Sequence, residues 1–387
     1  MKRLWLIATL GLVITLVIVA VVGDDEPSRQ DAPARGGGDG EALQVDTSGW
    51  ETDFSKHSVP LSEFQSGGPP RDGIPPIDRP KPISQAAADE WLLKREPVLA
   101  VEVGGQARAY PLQILVWHEI VNDTLGGRPI AVTYCPLCNS SLVFDRRVAD
   151  RTLTFGTTGN LRRSDLVMWD RQTESWWQQL SAEAVVGELT GTRLKVLPSQ
   201  TLSWADFKRI HPAGDVLSRD TGVERDYGAN PYAGYDKPDS EPFLFDGETD
   251  DRLPPKERVV AIFARDETVV VPFSRLVREP VVQTEAGGRP IVVFYKRGVL
   301  SPLDAPSIDI SDDVGTAAAF DPRLDGRRLS FERRDGGFVD RETGSRWNIA
   351  GRAVAGELAG ERLELVRHDQ QFWFALAAFV PDARIEP

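Results

Sequence analysis

Two cysteines stand in the 387 residues, Cys135 and Cys138, within the stretch TYCPLCNSSLVFD at 133–145. Thiols at this C-x-x-C spacing can close a disulfide, exchange disulfides with a partner, or hold a metal. Other soft donors are scarce. The chain has four histidines (His57, His118, His211 and His368) and two methionines, Met1 and Met168. Cys135, Cys138, His118 and Met168 would supply two thiolates, an imidazole and a thioether, the ligand types of electron-transfer copper sites. The expected cofactor is therefore copper, serving copper handling or electron transfer. Zinc is the alternative, because Cys135, Cys138 and His118 give three ligands and leave one position open.

Other uses of such a pair have their own requirements. Covalent haem attachment needs C-x-x-C-H, and Asn139 stands where that histidine belongs. A thioredoxin-like pair needs its first cysteine at a helix N-terminus, whereas NSSLVFD after the second cysteine reads as turn, then strand. No phosphate-binding loop, dinucleotide fingerprint or nucleophile elbow occurs, so no nucleotide is expected. Two further readings stay open. One is a thiol–disulfide oxidoreductase on another fold. The other is a non-catalytic surface binding module in which a Cys135–Cys138 disulfide only staples a loop. Trp117, Glu119 and Asp123 of WHEIVND, with Asn139 and Trp169, are the expected pocket or supporting residues. A carboxylate beside His118 would orient a ligand imidazole.

The elements that must position these groups begin outside the cytoplasm. Lys2 and Arg3 precede an uncharged run from Leu4 to Gly23. Roughly 20 apolar residues span a bilayer, and a cleaved signal peptide has a shorter apolar core. Residues 1–23 are thus read as a transmembrane signal anchor with its positive end inside. The remainder would be periplasmic or extracellular, where a redox or metal-delivery partner of unknown identity is expected. A net charge of −13 argues against nucleic acid as a partner. Hydrophobic residues at 41%, ten of them Trp, suffice for a sizeable core.

Residues 24–83 read as a tether and a Pro-rich arm, from DDEPSRQDAPARGGGDGE to GGPPRDGIPPIDRPKPI. Then the sequence repeats itself. GGRPIAVTY at 126–134 returns as GGRPIVVFY at 287–295, identical at seven of nine positions. AVVGELTGTRL at 184–194 returns as AVAGELAGERL at 353–363, identical at eight of eleven. Between them DRQTESWW, at 170–177, returns as DRETGSRW, at 340–347. Two tandem, diverged copies of one domain are therefore expected, 84–218 and 258–387, joined by a linker loop at 219–257. Short β-branched and alternating runs make the expected class mainly β (α+β), without a βαβ rhythm. Short helices are expected at PLQILVW, 111–117, and SWADFKRI, 203–210.

The second copy serves as a control for the first, since both must fold. Lys296 stands opposite Cys135, and an ungapped extension puts Val299 opposite Cys138. Glu279 stands opposite His118, and Phe338 opposite Met168. The four soft donors are thus missing together from the second copy, which marks the first as the one with chemistry.

With these motifs in view, the chain resembles a family of bacterial and archaeal proteins grouped as domain-of-unknown-function family 3179. The matching residues are TYCPLCNSSLVFDR, WHEIVND, LTFGTTGNLRRSDLVMWDRQTESWW and VVGELTGTRL. The resemblance runs from about residue 84 to the C-terminus and implies no particular activity.

Overall fold

The computed structural model describes residues 43–386, so the expected anchor at 1–23 and the start of the tether lie outside the described residues. Among those described, no helix is long and apolar enough to cross a membrane. The chain is mainly β, with short helices at strand junctions. Leu112–His118 and Trp204–Ile210 are two of them, at the two expected places.

Three sheets of four or five strands, and a two-stranded ribbon of Arg147–Val148 with Arg151–Thr152, lie between residues 82 and 217, with the strand Phe64–Ser66 added from the arm. In the first, Pro97–Val103 and Gln106–Pro111 form a hairpin, flanked by Ser199–Ser203 and by the parallel strand Asp215–Leu217. The second orders Lys195–Leu197, Ser140–Asp145, Arg128–Cys135 and Ile120–Leu125. The third places Phe64–Ser66 beside Phe155–Arg162, followed by Asp165–Asp170, Trp176–Gln178 and Glu183–Val186. The same order of elements is met again from 258 to 385. There a hairpin of Arg258–Ala264 and Glu267–Pro272 pairs with His368–Phe372 and with the parallel strand Arg384–Ile385. Val281–Ala286, Arg289–Lys296, Thr316–Asp321 and Glu364–Leu365 form the next sheet. Phe331–Arg334, Gly337–Asp340, Arg346–Trp347 and Ala353–Ala355 form the last.

The repeated motifs build the same local devices in both halves. Gly126 turns its hairpin at φ 56, where an added Cβ would meet the Val103 carbonyl oxygen at 2.1 Å. Gly287 repeats that approach to the Ala264 carbonyl oxygen. In each D-R-x-T-x-S-x-W segment an aspartate gathers its own turn. Asp170 accepts from Thr173 N and from Trp177 Nε1 at 2.8 and 2.9 Å, and Asp340 from Thr343 N and Trp347 Nε1 at 2.7 and 2.8 Å.

The halves differ in three places. Cys135 pairs with Ser140 across a four-residue turn, 136–139, whereas Lys296 pairs with Thr316 and the chain between them makes a long excursion. The ungapped comparison of Cys138 with Val299 therefore fails, because Cys138 sits in a turn the second half lacks. Next, the hairpin of Phe155–Arg162 and Asp165–Asp170 is longer than its counterpart of Phe331–Arg334 and Gly337–Asp340. Last, segment 43–83 is no loose tether where it is described. Leu43, Val45, Trp50, Phe54 and Phe64 pack with Trp169 and Trp176, and Phe64–Ser66 adds a strand to the third sheet. Apolar side chains at irregular spacing leave no periodic signal, yet each still gains from leaving water.

Asp340→Ala would leave the Trp347 indole and the Thr343 donors unpaired in a buried place. It is expected to cost about 1–3 kcal/mol in urea denaturation, without changing the thiol chemistry of the first half.

Candidate metal centre

Cys135 ends the strand Arg128–Cys135, and Cys138 sits in the turn that leads into Ser140–Asp145. The turn closes because Asn139 adopts φ 52, a left-handed conformation that asparagine tolerates better than most residues. Its Oδ1 accepts from the Tyr134 hydroxyl at 3.2 Å. Backbone contacts from elsewhere hold the turn. Phe372 N donates to the Cys138 carbonyl oxygen at 2.9 Å, and the Tyr235 hydroxyl to that of Leu137 at 3.1 Å. Both cysteines are free thiols, and both are buried.

The third member comes from the long hairpin. Its turn, Arg163–Ser164, has φ 53 and 63, and the next residue is Asp165. Cys138 Sγ lies 3.4 Å from Asp165 Oδ1 and 3.5 Å from the Ser164 carbonyl oxygen, while Cys135 Sγ lies 3.9 Å from that same oxygen. The two sulfurs and an Asp165 carboxylate oxygen all fall within 4.8 Å of one another. Asp165 is fixed by Gln178 Nε2 at 2.5 Å and Leu180 N at 3.0 Å. Sequence reasoning missed it. The usable signal was a six-residue excess between Phe155 and Asp170 relative to Phe331 and Asp340.

Electrostatics make this a buried, acidic pocket. Burial pushes both thiols up, Cys138 strongly, and the Asp165 carboxylate adds to each shift. Burial also raises Asp165 to about 6, despite hydrogen bonds from Leu180 and Gln178 that favour its ionised form. Glu119 belongs to the same cluster of charges. It caps the helix Leu112–His118 at φ 59 and is buried, and burial, helped by Asp165, raises it to about 8. Its carbonyl accepts Tyr134 N at 2.8 Å, as that of Pro280 accepts Tyr295 N at 2.9 Å, so the second half has proline where this carboxyl stands.

The remaining expected residues are placed as follows. His118 is committed on both ring nitrogens, Nδ1 to the Pro75 carbonyl oxygen at 2.7 Å and Nε2 to the Tyr227 hydroxyl at 2.6 Å. It is not in the group that brings the two sulfurs and Asp165 together. Met168 is fully buried in the apolar cluster that also holds Cys135 and Cys138, on a strand between Thr157 and Trp177. Asp123 is an ion-pair residue, taking Arg108 Nη1 at 2.6 Å and the Tyr110 hydroxyl at 2.7 Å. Trp117 donates Nε1 to the Ala229 carbonyl oxygen. Trp169 faces the arm instead of the thiols, edge-on to Trp50 at 5.5 Å and under the Arg71 guanidinium at 3.5 Å. The linker 219–257 lies over the site. Tyr227 meets His118, Tyr235 meets the C-x-x-C turn, and the Phe243 carbonyl accepts the Ser164 hydroxyl at 2.6 Å.

A pH dependence follows from Glu119. The folded protein keeps its proton up to about pH 8, whereas an unfolded glutamate loses it near pH 4.3. Between those values the folded state binds more protons, so metal-free stability falls as pH rises. Glu119→Gln removes that loss. Its stability relative to the parent is expected to climb from about pH 4 to about pH 8, by no more than about 1.4 kcal/mol per unit. Urea denaturation of metal-free protein at several pH values measures it, and a constant difference would contradict the assignment.

No curated protein and no solved structure matches the chain. One family does, that described as protein of unknown function DUF3179, over residues 71–383. Its span takes in both halves and the Pro-rich arm whose Asp72 accepts from Trp169 Nε1. The protein therefore belongs to the DUF3179 family.

Proposed function

We propose that this chain binds one divalent metal ion of zinc type through Cys135, Cys138 and Asp165. The observation that carries the reading is the convergence of three buried donors within 4.8 Å, built by a turn and a hairpin extension that the second half lacks. Burying several acidic groups together is costly unless a cation compensates them. Two thiolates and a carboxylate are donors that zinc accepts, and three protein ligands leave a fourth position for water or a small molecule. Copper was the stronger expectation while an imidazole and a thioether were in the set. His118, with both nitrogens engaged elsewhere, weakens that choice.

The reading extends to the whole chain. The parallel order of elements supports two diverged copies of one domain, the first with the site and the second without it. The run from Leu4 to Gly23 supports a membrane anchor, with both copies outside the cytoplasm.

A second reading, a thiol–disulfide oxidoreductase, draws on one contact. Asp165 stands 3.4 Å from Cys138 Sγ, where a carboxylate takes the thiol proton as a disulfide is attacked or formed.

Equilibration of the reduced protein with Co²⁺ separates the two. One Co²⁺ per chain is expected, with a thiolate-to-metal charge-transfer band displaced by Zn²⁺. Cys135→Ser, Cys138→Ser and Asp165→Asn should each weaken binding by more than the about 10–100-fold that an outer-shell change costs. Parent protein that takes up no more metal than a variant carrying both Cys135→Ser and Cys138→Ser would sink the metal reading. A reversible, fairly oxidising dithiol potential in that same protein would favour the second.

A further inference from the structure

Lys256 is 2% exposed, a rare place for an ammonium group. Its Nζ donates to the Tyr235 carbonyl oxygen at 2.8 Å and to the Ser240 hydroxyl at 3.0 Å, and lies 3.6 Å from the centre of the Tyr235 ring. Both acceptors are neutral. A buried charge is costly unless an opposite charge compensates it.

The acids around Lys256 are mostly engaged elsewhere. Asp236 takes Arg258 Nη2 at 2.6 Å and the Ser301 hydroxyl, and Glu257 takes Ser274 N at 2.7 Å. Across a recess of about 290 Å³ that Lys256 helps to line, Asp313 accepts Gly298 N at 2.8 Å and pairs with Arg95 at 2.8 Å, and Asp304 accepts Asp312 N at 2.9 Å. Lys237, Asp312 and Tyr295 are the other titratable groups of that wall. Burial lowers Lys256 to about 8, against the opposing pull of Asp236 and Glu241.

Both acceptors of Lys256 belong to the part of the linker that covers the thiols. The Tyr235 hydroxyl that grips the C-x-x-C turn also accepts Phe243 N at 3.3 Å. Segment 235–243 has no strand or helix of its own. Lys256 fastens it a third time, from its backbone N to the Pro238 carbonyl oxygen at 2.9 Å. This fastening carries a cost that depends on pH. With the segment closed, Lys256 gives up its proton near pH 8. With it open, the ammonium meets water and keeps that proton to about pH 10.4. Below pH 8 the cost is fully present. Between the two values the closed state binds fewer protons, so a rise in pH favours closing.

We propose that the buried Lys256 ammonium loads segment 235–243 toward opening at neutral pH, making it a strap over the thiols that settles when the ammonium loses its proton. The proposal concerns access to the thiols and does not depend on the metal reading. Hydrogen exchange of the reduced, metal-free full chain tests it, read as protection of the amides at positions 240, 243 and 256 after correction for intrinsic rates. Glu119 and the thiols titrate in parent and variant alike, so the ratio of parent to Lys256→Met isolates the lysine. That ratio is expected to rise about tenfold between about pH 7 and about pH 9.5. Lys256→Arg stays charged throughout, so the ratio of parent to this variant should rise equally, and it serves if the methionine variant does not fold. A ratio that stays flat or falls would overturn the proposal. So would an equal rise at the amides of Arg289–Lys296, which would place the effect in the whole fold and not in the strap.

Discussion

The site rests on a strand pair that must reverse within four residues. Arg128–Cys135 and Ser140–Asp145 are hydrogen-bonded up to the Cys135–Ser140 pair, so the chain between them has no slack. That tightness brings Cys138 next to Cys135 and forces the left-handed geometry at Asn139. It also leaves turn carbonyls that need donors from outside. Phe372 and Tyr235 supply them, one from the second half and one from the linker. The closing of the site and the packing of the two halves are consequently one event. A change that loosened the turn would free the cover as well.

What then accumulates beneath the cover is acid. Two thiols and two carboxyls share a space in which burial raises every one of them. Such a pocket either holds its protons or holds a cation, because ionised neighbours in low dielectric repel one another strongly. Holding protons leaves a neutral, weakly nucleophilic dithiol. Holding a cation gathers the same atoms as ligands. The non-glycine residues in left-handed conformations around the thiols, Glu119, Asn139, Arg163 and Ser164, fit a place where local strain is retained for a purpose.

Much of this was legible in the sequence, and the failures have definite causes. Strand runs, both short helices and the paired GGRPI and D-R-x-T-x-S-x-W motifs are local patterns, and local patterns survive in one dimension. The comparison of the two halves flagged Cys135, Cys138, His118 and Met168 alike, whereas the structure gathers the two thiols with Asp165 and commits His118 to other partners. Absence from one half marks any contact special to the other half, whether chemical or mechanical. His118 is special because it braces the Pro-rich arm and Tyr227. Trp169 is special because the arm packs on it. Asp165 escaped because its position exists only through an insertion, and an insertion has no opposite number to compare.

That insertion has a consequence for how such a centre can come and go. The longer hairpin keeps the Phe155–Asp170 pair at its base, as the shorter one keeps Phe331–Asp340. Its extra residues lie beyond that base, with an irregularity between Thr157 and Leu161 taking up the unequal arm lengths. They also seat the arm, since Phe64–Ser66 pairs with Asn160–Arg162 near the tip. Trimming that one hairpin tip would therefore remove the carboxylate and the seat of the arm strand together, while the Phe155–Asp170 base stayed in place.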